Sequence, residues 1–274
     1  MPRNPPDFSA APSALGYLHQ VRYALVLLLQ ARAPDTVISI EKIDDVAFED
    51  TGEPSHLLQL KHHITHTANL TDSSTDLWKT LRVWATKVAD GTLNLPGVIL
   101  SLVTTAEAPA GSAAQLLRDG PGRNEAEALR RLKQAGAASG NATVRTAFAS
   151  FEVLSAPAQE ELFSRIRVLD MSPDIEMARH LLQVVLRYST KEKFLTGFCD
   201  RLEGWWFRRA IQHLKDPQSY PGISWREAQA QIEDLAEQFR LDNLPIDFPT
   251  ELDMEEGDLP ADERLFVESS NLSH

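Results

Sequence analysis

Residues Thr36 to Lys61 read TVISIEKIDDVAFEDTGEPSHLLQLK, and this stretch decides the fold. Val37 to Ile43 alternates apolar and polar positions around Ile38 and Ile40, a strand pattern, and Val46 to Phe48 is a second short run. The turn chemistry of residues 50–55, DTGEPS, brings the chain back through His56 to His63 as a third strand, which makes a β-meander. Three carboxylates, Glu41, Asp44 and Asp45, lie in or just after the first strand, and Gln59 and Lys61 stand two apart on the third. Strand side chains two apart share a face, so carboxylates and a lysine can converge across paired strands. Phosphodiester hydrolysis with Mg²⁺ asks for that arrangement: hard oxygen ligands, and a cation beside the attacking water.

Working outward, Ser13 to Ala31 carries Leu15, Leu18, Tyr23, Leu25, Val26 and Leu29, which predicts a mostly buried helix stopped by Pro34. Leu70 to Ala89 opens on good N-cap residues and repeats Leu77, Leu81, Trp84 and Val88 at three- and four-residue spacing. It reads as an amphipathic helix that turns Lys79, Arg82 and Lys87 toward solvent or a ligand. Gly97 to Thr105 is a nearly continuous apolar run, the pattern of a central strand covered on both faces. Helices follow over 111–119, 124–138, 143–151 and 157–163, then a short strand over 166–169 and a helix from Ser172 through Tyr188.

Near Ser189 the texture changes. Phe194, Phe198, Leu202, Trp205 and Trp206 fall close to helical spacing and read as the core-facing side of a helix in a second domain. Ser224 with Glu227 is a capping box for a helix to Phe239. The expected organisation is a flexible arm over 1–12, a first domain over 13–188 and a helical C-terminal domain over 189–274.

The 274-residue chain, 43% apolar, can bury a core without staples, and its single cysteine, Cys199, excludes an intramolecular disulfide framework, which fits a reducing cytoplasm. The longest apolar run, Tyr23 to Leu29, is too short to cross a bilayer. A formal charge of −12 argues against coating nucleic acid by bulk attraction, although local basic residues around a cleft can still hold phosphates.

The order helix, three strands, helix, with carboxylates ahead of Gln-Xaa-Lys, resembles PD-(D/E)XK nucleases in their Mrr-like form. GYLHQVRYALVLLL, IEKIDDVAFE, LLQLKHH and LTDSSTDLWKTLRVW together look like the endonuclease domain of CD-NTase-associated effectors and of the nuclease subunit of Lamassu antiphage systems. FCDRLEGWWFRRAIQHL and IEDLAEQFRLDNLPIDFP resemble the C-terminal domain of ABC-three-component proteins, the group to which Lamassu belongs. The resemblance implies an α/β, restriction-endonuclease-like mixed sheet flanked by helices, and cleavage of double-stranded DNA with Mg²⁺, or Mn²⁺ in its place. It also implies restraint by an SMC- or Rad50-like ABC ATPase and a small third subunit, with self-assembly into a homo-oligomer on release. The family pattern continues past ERLFVE where this sequence turns to SSNLSH, so a truncated C-terminal module is expected.

By position, Asp45 is the expected metal ligand, Gln59 an uncharged ligand or aligner, and Lys61 the cation at the nucleophile. Glu41 completes the ligand set, Asp44 competes with Asp45 for the ligand role, and Gln20 adds an outer hydrogen bond. His62, His63, Lys79 and Arg82 are candidate DNA contacts. The histidines with His66 invite a zinc reading, but tandem histidines leaving a strand more often face solvent. The competing function is a catalytically inactive nuclease-fold adaptor that docks the ATPase. An RNA-directed nuclease would share the same chemistry, because active-site residues contact phosphate and carry no base or sugar code.

Overall fold

The computed structural model describes residues 10–31, 33–42, 44–50, 53–61 and 69–240. Helix α1 (Ala11–Ala31) leads into three strands, β1 (Val37–Ile40), β2 (Val46–Asp50) and β3 (Glu53–Lys61). Helix α2 (Thr75–Ala89) then crosses to β4 (Ile99–Thr104). Four helices follow, α3 (Ala113–Leu116), α4 (Glu125–Ala138), α5 (Ala142–Glu152) and α6 (Ala156–Arg165), ahead of β5 (Ile166–Leu169) and α7 (Ile175–Leu186). A 3₁₀ turn (Glu192–Phe194), α8 (Leu195–Lys215), β6 (Ile223–Ser224) and α9 (Trp225–Gln238) complete the described chain.

The strands form one mixed sheet in the order β5-β4-β3-β2-β1-β6. The first three strands pair antiparallel, as the expected meander requires, whereas β3-β4 and β4-β5 are parallel and their connections are helical. Two apolar clusters cover opposite faces. Leu57 and Ala47 join Leu77, Leu81 and Trp84 of α2 in one, with α4, α5 and α6 behind them. Their alternate neighbours Val46, Leu58 and Leu60 join Val21, Leu25 and Leu28 of α1 in the other. The period-two alternation of β2 and β3 therefore sets which side chains meet α2 and which meet α1.

The sequence differs from this arrangement in several places. Ala11 and Pro12, expected in the N-terminal arm, belong to α1, since proline is tolerated in a first helical turn. The first strand ends at Ile40 rather than Ile43, because Glu41 leaves the extended region at φ 56°. The helix expected over 111–119 contracts to Ala113–Leu116, capped by Ser112. Strand β6 was not expected; it extends the sheet by pairing Ile223 with Ile38. Gly222 permits that approach, since a Cβ there would stand 2.5 Å from Val37 Cγ1 and 3.1 Å from the Ile38 carbonyl oxygen.

The expected change of domain at 188 is not a change of core. Phe198, Leu202 and Trp206 of α8 and Ile232 of α9 pack in the same cluster as α1, and Trp206 Nε1 donates to the Val21 carbonyl at 2.6 Å. Cys199 is buried among them, where burial pushes its thiol up to about 11. The remainder of the expected C-terminal module, 241–274, lies outside the described residues, as do positions 1–9 of the expected arm. Among the described residues no helix is long and apolar enough to cross a membrane.

A chain cut after Tyr188 keeps α7 but would lose the part of the cover of α1 and β1 that α8 and α9 supply, and is expected to melt well below the full chain and with less cooperativity. Trp206→Ala in the full chain should cost about 3–5 kcal/mol. Calorimetry checks both, and a cut chain that melts like the full one would contradict a shared core.

Candidate active site

The register of β2 on β3 pairs Val46 with Leu58, and one step further it sets Asp45 opposite Gln59. By the alternation described above, Asp45, Gln59 and Lys61 all face the α2 side of the sheet. Lys61 Nζ stands 3.7 Å from Asp45 Oδ2 and donates to Gln59 Oε1 at 3.0 Å. The Gln59 amide nitrogen bridges the two aspartates, donating to Asp44 Oδ1 and, at 2.9 Å, to Asp45 Oδ1. Asp45 Oδ2 also accepts the Leu60 N–H at 2.7 Å, so this side chain continues the β2-β3 ladder where the strand itself has ended.

The two adjacent aspartates have different surroundings. Asp44 is buried, with Trp84 Nε1 donating to its Oδ2 at 2.7 Å and Lys87 Nζ 3.8 Å from its Oδ1. Burial pushes its carboxyl up, an effect partly offset by the Lys87 charge and the Trp84 hydrogen bond. Asp45 stays partly open beside Lys61. The two therefore differ in position: Asp44 props the Gln59 amide from a buried site, and Asp45 is partly exposed, while both line one cavity.

Glu41 sits just past β1 in the left-handed region, with its N–H bonded to the Asp45 carbonyl at 3.0 Å. A non-glycine residue there carries backbone strain, of the kind that collects at functional sites. A cavity of about 140 Å³ is lined by Glu41, Asp44, Asp45, Gln59 and Lys87. Glu41 is exposed at the cavity mouth, and its carboxyl is raised first by partial desolvation and then by the Asp45 and Asp44 charges, with Lys61 and Lys87 pulling the other way.

Gln20 does not join this group. Helix α1 packs on the opposite face of the sheet, and no hydrogen bond links Gln20 to Asp44, Asp45 or Gln59. The α1 residue that senses the site is Tyr17, whose phenol is raised by burial and by the Glu41 charge. Lys79 and Arg82 are exposed on α2, on whose far half Lys87 lines the cavity. Trp206 is core, as its spacing implied. His62, His63 and His66 lie outside the described residues. Sequence reasoning missed the roles of Trp84 and Lys87 toward Asp44; their three-residue separation on one helix was the available signal.

Among the described residues no group of three or more His, Cys, Asp or Glu is arranged to hold a metal ion. Mg²⁺ needs fewer, since it keeps several waters and binds through one or two carboxylates plus substrate phosphates. Asp45 and Glu41 offer two such carboxylates: both line the cavity, and the Asp45 charge acts on Glu41. The Gln59 oxygen accepts from Lys61 and the Asp44 oxygens accept from Trp84 and Gln59, contacts that leave further lone pairs on each oxygen.

Two solved structures of the Acinetobacter baumannii Cap4 SAVED/CARF-domain containing receptor are similar to this chain, each at 13% identity. The one with the cyclic trinucleotide 3'3'3'-cAAA gives a TM-score of 0.43 over 82% of this chain and 49% of the receptor. The one with 2'3'3'-cAAA gives 0.42 over 81% and 46%. This chain spans about half the length of those structures. No protein-family model matches the chain, and no curated protein matches it. A likeness this distant assigns nothing to the site.

Asp44→Asn would turn an amide N–H toward groups that are themselves donors, and should cost about 1–3 kcal/mol in urea unfolding. Because the folded protein holds Glu41 above its ordinary value, the proton on Glu41 stabilises the fold, and that contribution is lost as pH rises through the raised value. Glu41→Gln should therefore melt above wild type at neutral pH, with the gap closing as pH falls toward the ordinary carboxylate range. A gap that widens on acidification would refute this assignment.

Proposed function

We propose that the chain is a metal-dependent endonuclease acting on double-stranded DNA, with a restriction-endonuclease-like core formed by α1, the three antiparallel strands, α2 and β4. The observation that carries the reading is the placement of Asp45 and Lys61 on one sheet face, 3.7 Å apart, with Glu41 lining the same cavity as Asp45. Opposite faces would have ruled it out.

In this reading Asp45 and Glu41 would hold Mg²⁺, which when bound would polarise the scissile phosphate and activate the attacking water. Lys61 donates to the attacking oxygen and to the charge that accumulates on phosphate as the new P–O bond forms and the bond to the leaving sugar oxygen breaks. Gln59 holds the Lys61 ammonium in place through its oxygen and Asp45 through its nitrogen. Asp44, anchored by Trp84, fixes that amide in turn. Lys79 and Arg82 on the exposed side of α2 are suited to neighbouring phosphates. The antiphage setting, the SMC- or Rad50-like ATPase partner and assembly on release rest on the sequence resemblance.

The adaptor reading draws on one observation. Both ends of the Gln59 amide are engaged within the protein, so the cluster is satisfied without a cation. Plasmid cleavage with Mg²⁺ separates the two. Nicking or linearisation should appear in the wild type and fall by at least about a hundredfold in Asp45→Ala and Lys61→Ala, matching the loss of about 3 kcal/mol in transition-state stabilisation. Cleavage that persists in both variants removes the nuclease assignment. Asp45→Ala and Lys61→Ala proteins that still bind the ATPase would be expected under either reading.

A further inference from the structure

His213 lies near the end of α8, is 2% exposed, and takes no part in the chemistry assigned above. Its Nε2 accepts the backbone N–H of Ile40 at 3.3 Å, and its Nδ1 bonds the Tyr220 carbonyl oxygen. A carbonyl oxygen only accepts, so the ring donates from Nδ1 and accepts at Nε2. Ile40 is the last residue of β1. Strand β6 reaches only Val37 and Ile38, and beyond it the Ile40 N–H meets the imidazole where a longer β6 would run. The next residue is Glu41, which turns out of the strand at φ 56° and bonds back to the Asp45 carbonyl.

We infer that His213 is a positioning residue for Glu41: it fixes the strand end from which Glu41 turns, and thereby sets its carboxylate in the cavity. The inference rests on reading Glu41 as a cation ligand. It ties the site to a helix 173 residues further along the chain, which packs on the other face of the sheet. The imidazole is suited to the task because it is rigid and held from both sides, so the Ile40 N–H is neither left unpaired nor free to shift.

The test uses the full chain with His213→Phe, which keeps a ring and removes both nitrogens, and His213→Gln, which offers an amide oxygen to Ile40 and an amide N–H to Tyr220. Amide hydrogen exchange at Ile40 and Glu41 should become about tenfold faster in His213→Phe than any change across α2 and β4, and return in His213→Gln. Mn²⁺ binding followed by electron paramagnetic resonance should weaken about tenfold in His213→Phe and recover in His213→Gln. The His213→Phe loss should vanish in a Glu41→Gln background, because both changes act through one carboxylate. Exchange that is unchanged at Ile40 and Glu41, or that rises equally across α2 and β4, overturns the inference. So does an equal loss of Mn²⁺ binding with and without Glu41, or a wild type that binds no Mn²⁺. If His213→Phe does not fold, His213→Leu is measured against His213→Gln in the same way. A wild type that binds Mn²⁺ but cleaves no DNA overturns the nuclease reading alone.

Discussion

Strand β3 is buried from Leu57 to Leu60, covered by α1 on one face and α2 on the other, so a polar side chain within that run must find its partners inside the protein. Gln59 is that side chain. Its amide nitrogen serves two aspartates and its oxygen serves a lysine, which links the end of β2, the end of β3 and, through Asp44, helix α2. Removing any one member would strand another in a nearly dry setting, where unpaired polar groups are expensive. The chemistry of the site and the closure of the sheet at this corner are therefore one problem with one solution.

The same corner explains why the two ends of the chain depend on each other. Helix α1 covers one face of the sheet, but its outer side is completed only by α7, α8 and α9. The C-terminal helices thus provide the second wall of the core, and through Ile40 they reach the strand from which Glu41 departs. A site that looks local in sequence, within residues 41–61, is braced by a helix beginning at Leu195.

Much of this was legible in the sequence where spacing alone decides structure. The Leu77, Leu81, Trp84 stripe placed α2, and the Gln59-Xaa-Lys61 spacing put both side chains on one face. What escaped was set by partners distant in sequence. The pattern of α1 announces a buried helix but not which face of the sheet it covers, and Gln20 was misplaced for that reason. Asp44 and Asp45 are indistinguishable as letters; Trp84, forty residues away, decides which one is buried. Strand β6 has two residues, too few for any alternation, although the glycine before it carried a trace of the close approach. Nothing in the sequence marks Glu41 for a left-handed conformation, since that conformation is imposed by the bonds around it.

The lengths of the strands also bear on how the protein behaves in company. The longest strand, β3 with nine residues, lies in the middle of the sheet, and the two outermost are β5 with four residues and β6 with two. Arg167 on β5 is held by Asp119 at 2.6 Å, which puts a charge pair on that margin. Margins this short, one of them carrying a charge pair, offer few unpaired backbone groups to a neighbouring molecule. Among the described residues, the sheet therefore presents little edge that another copy could extend strand by strand.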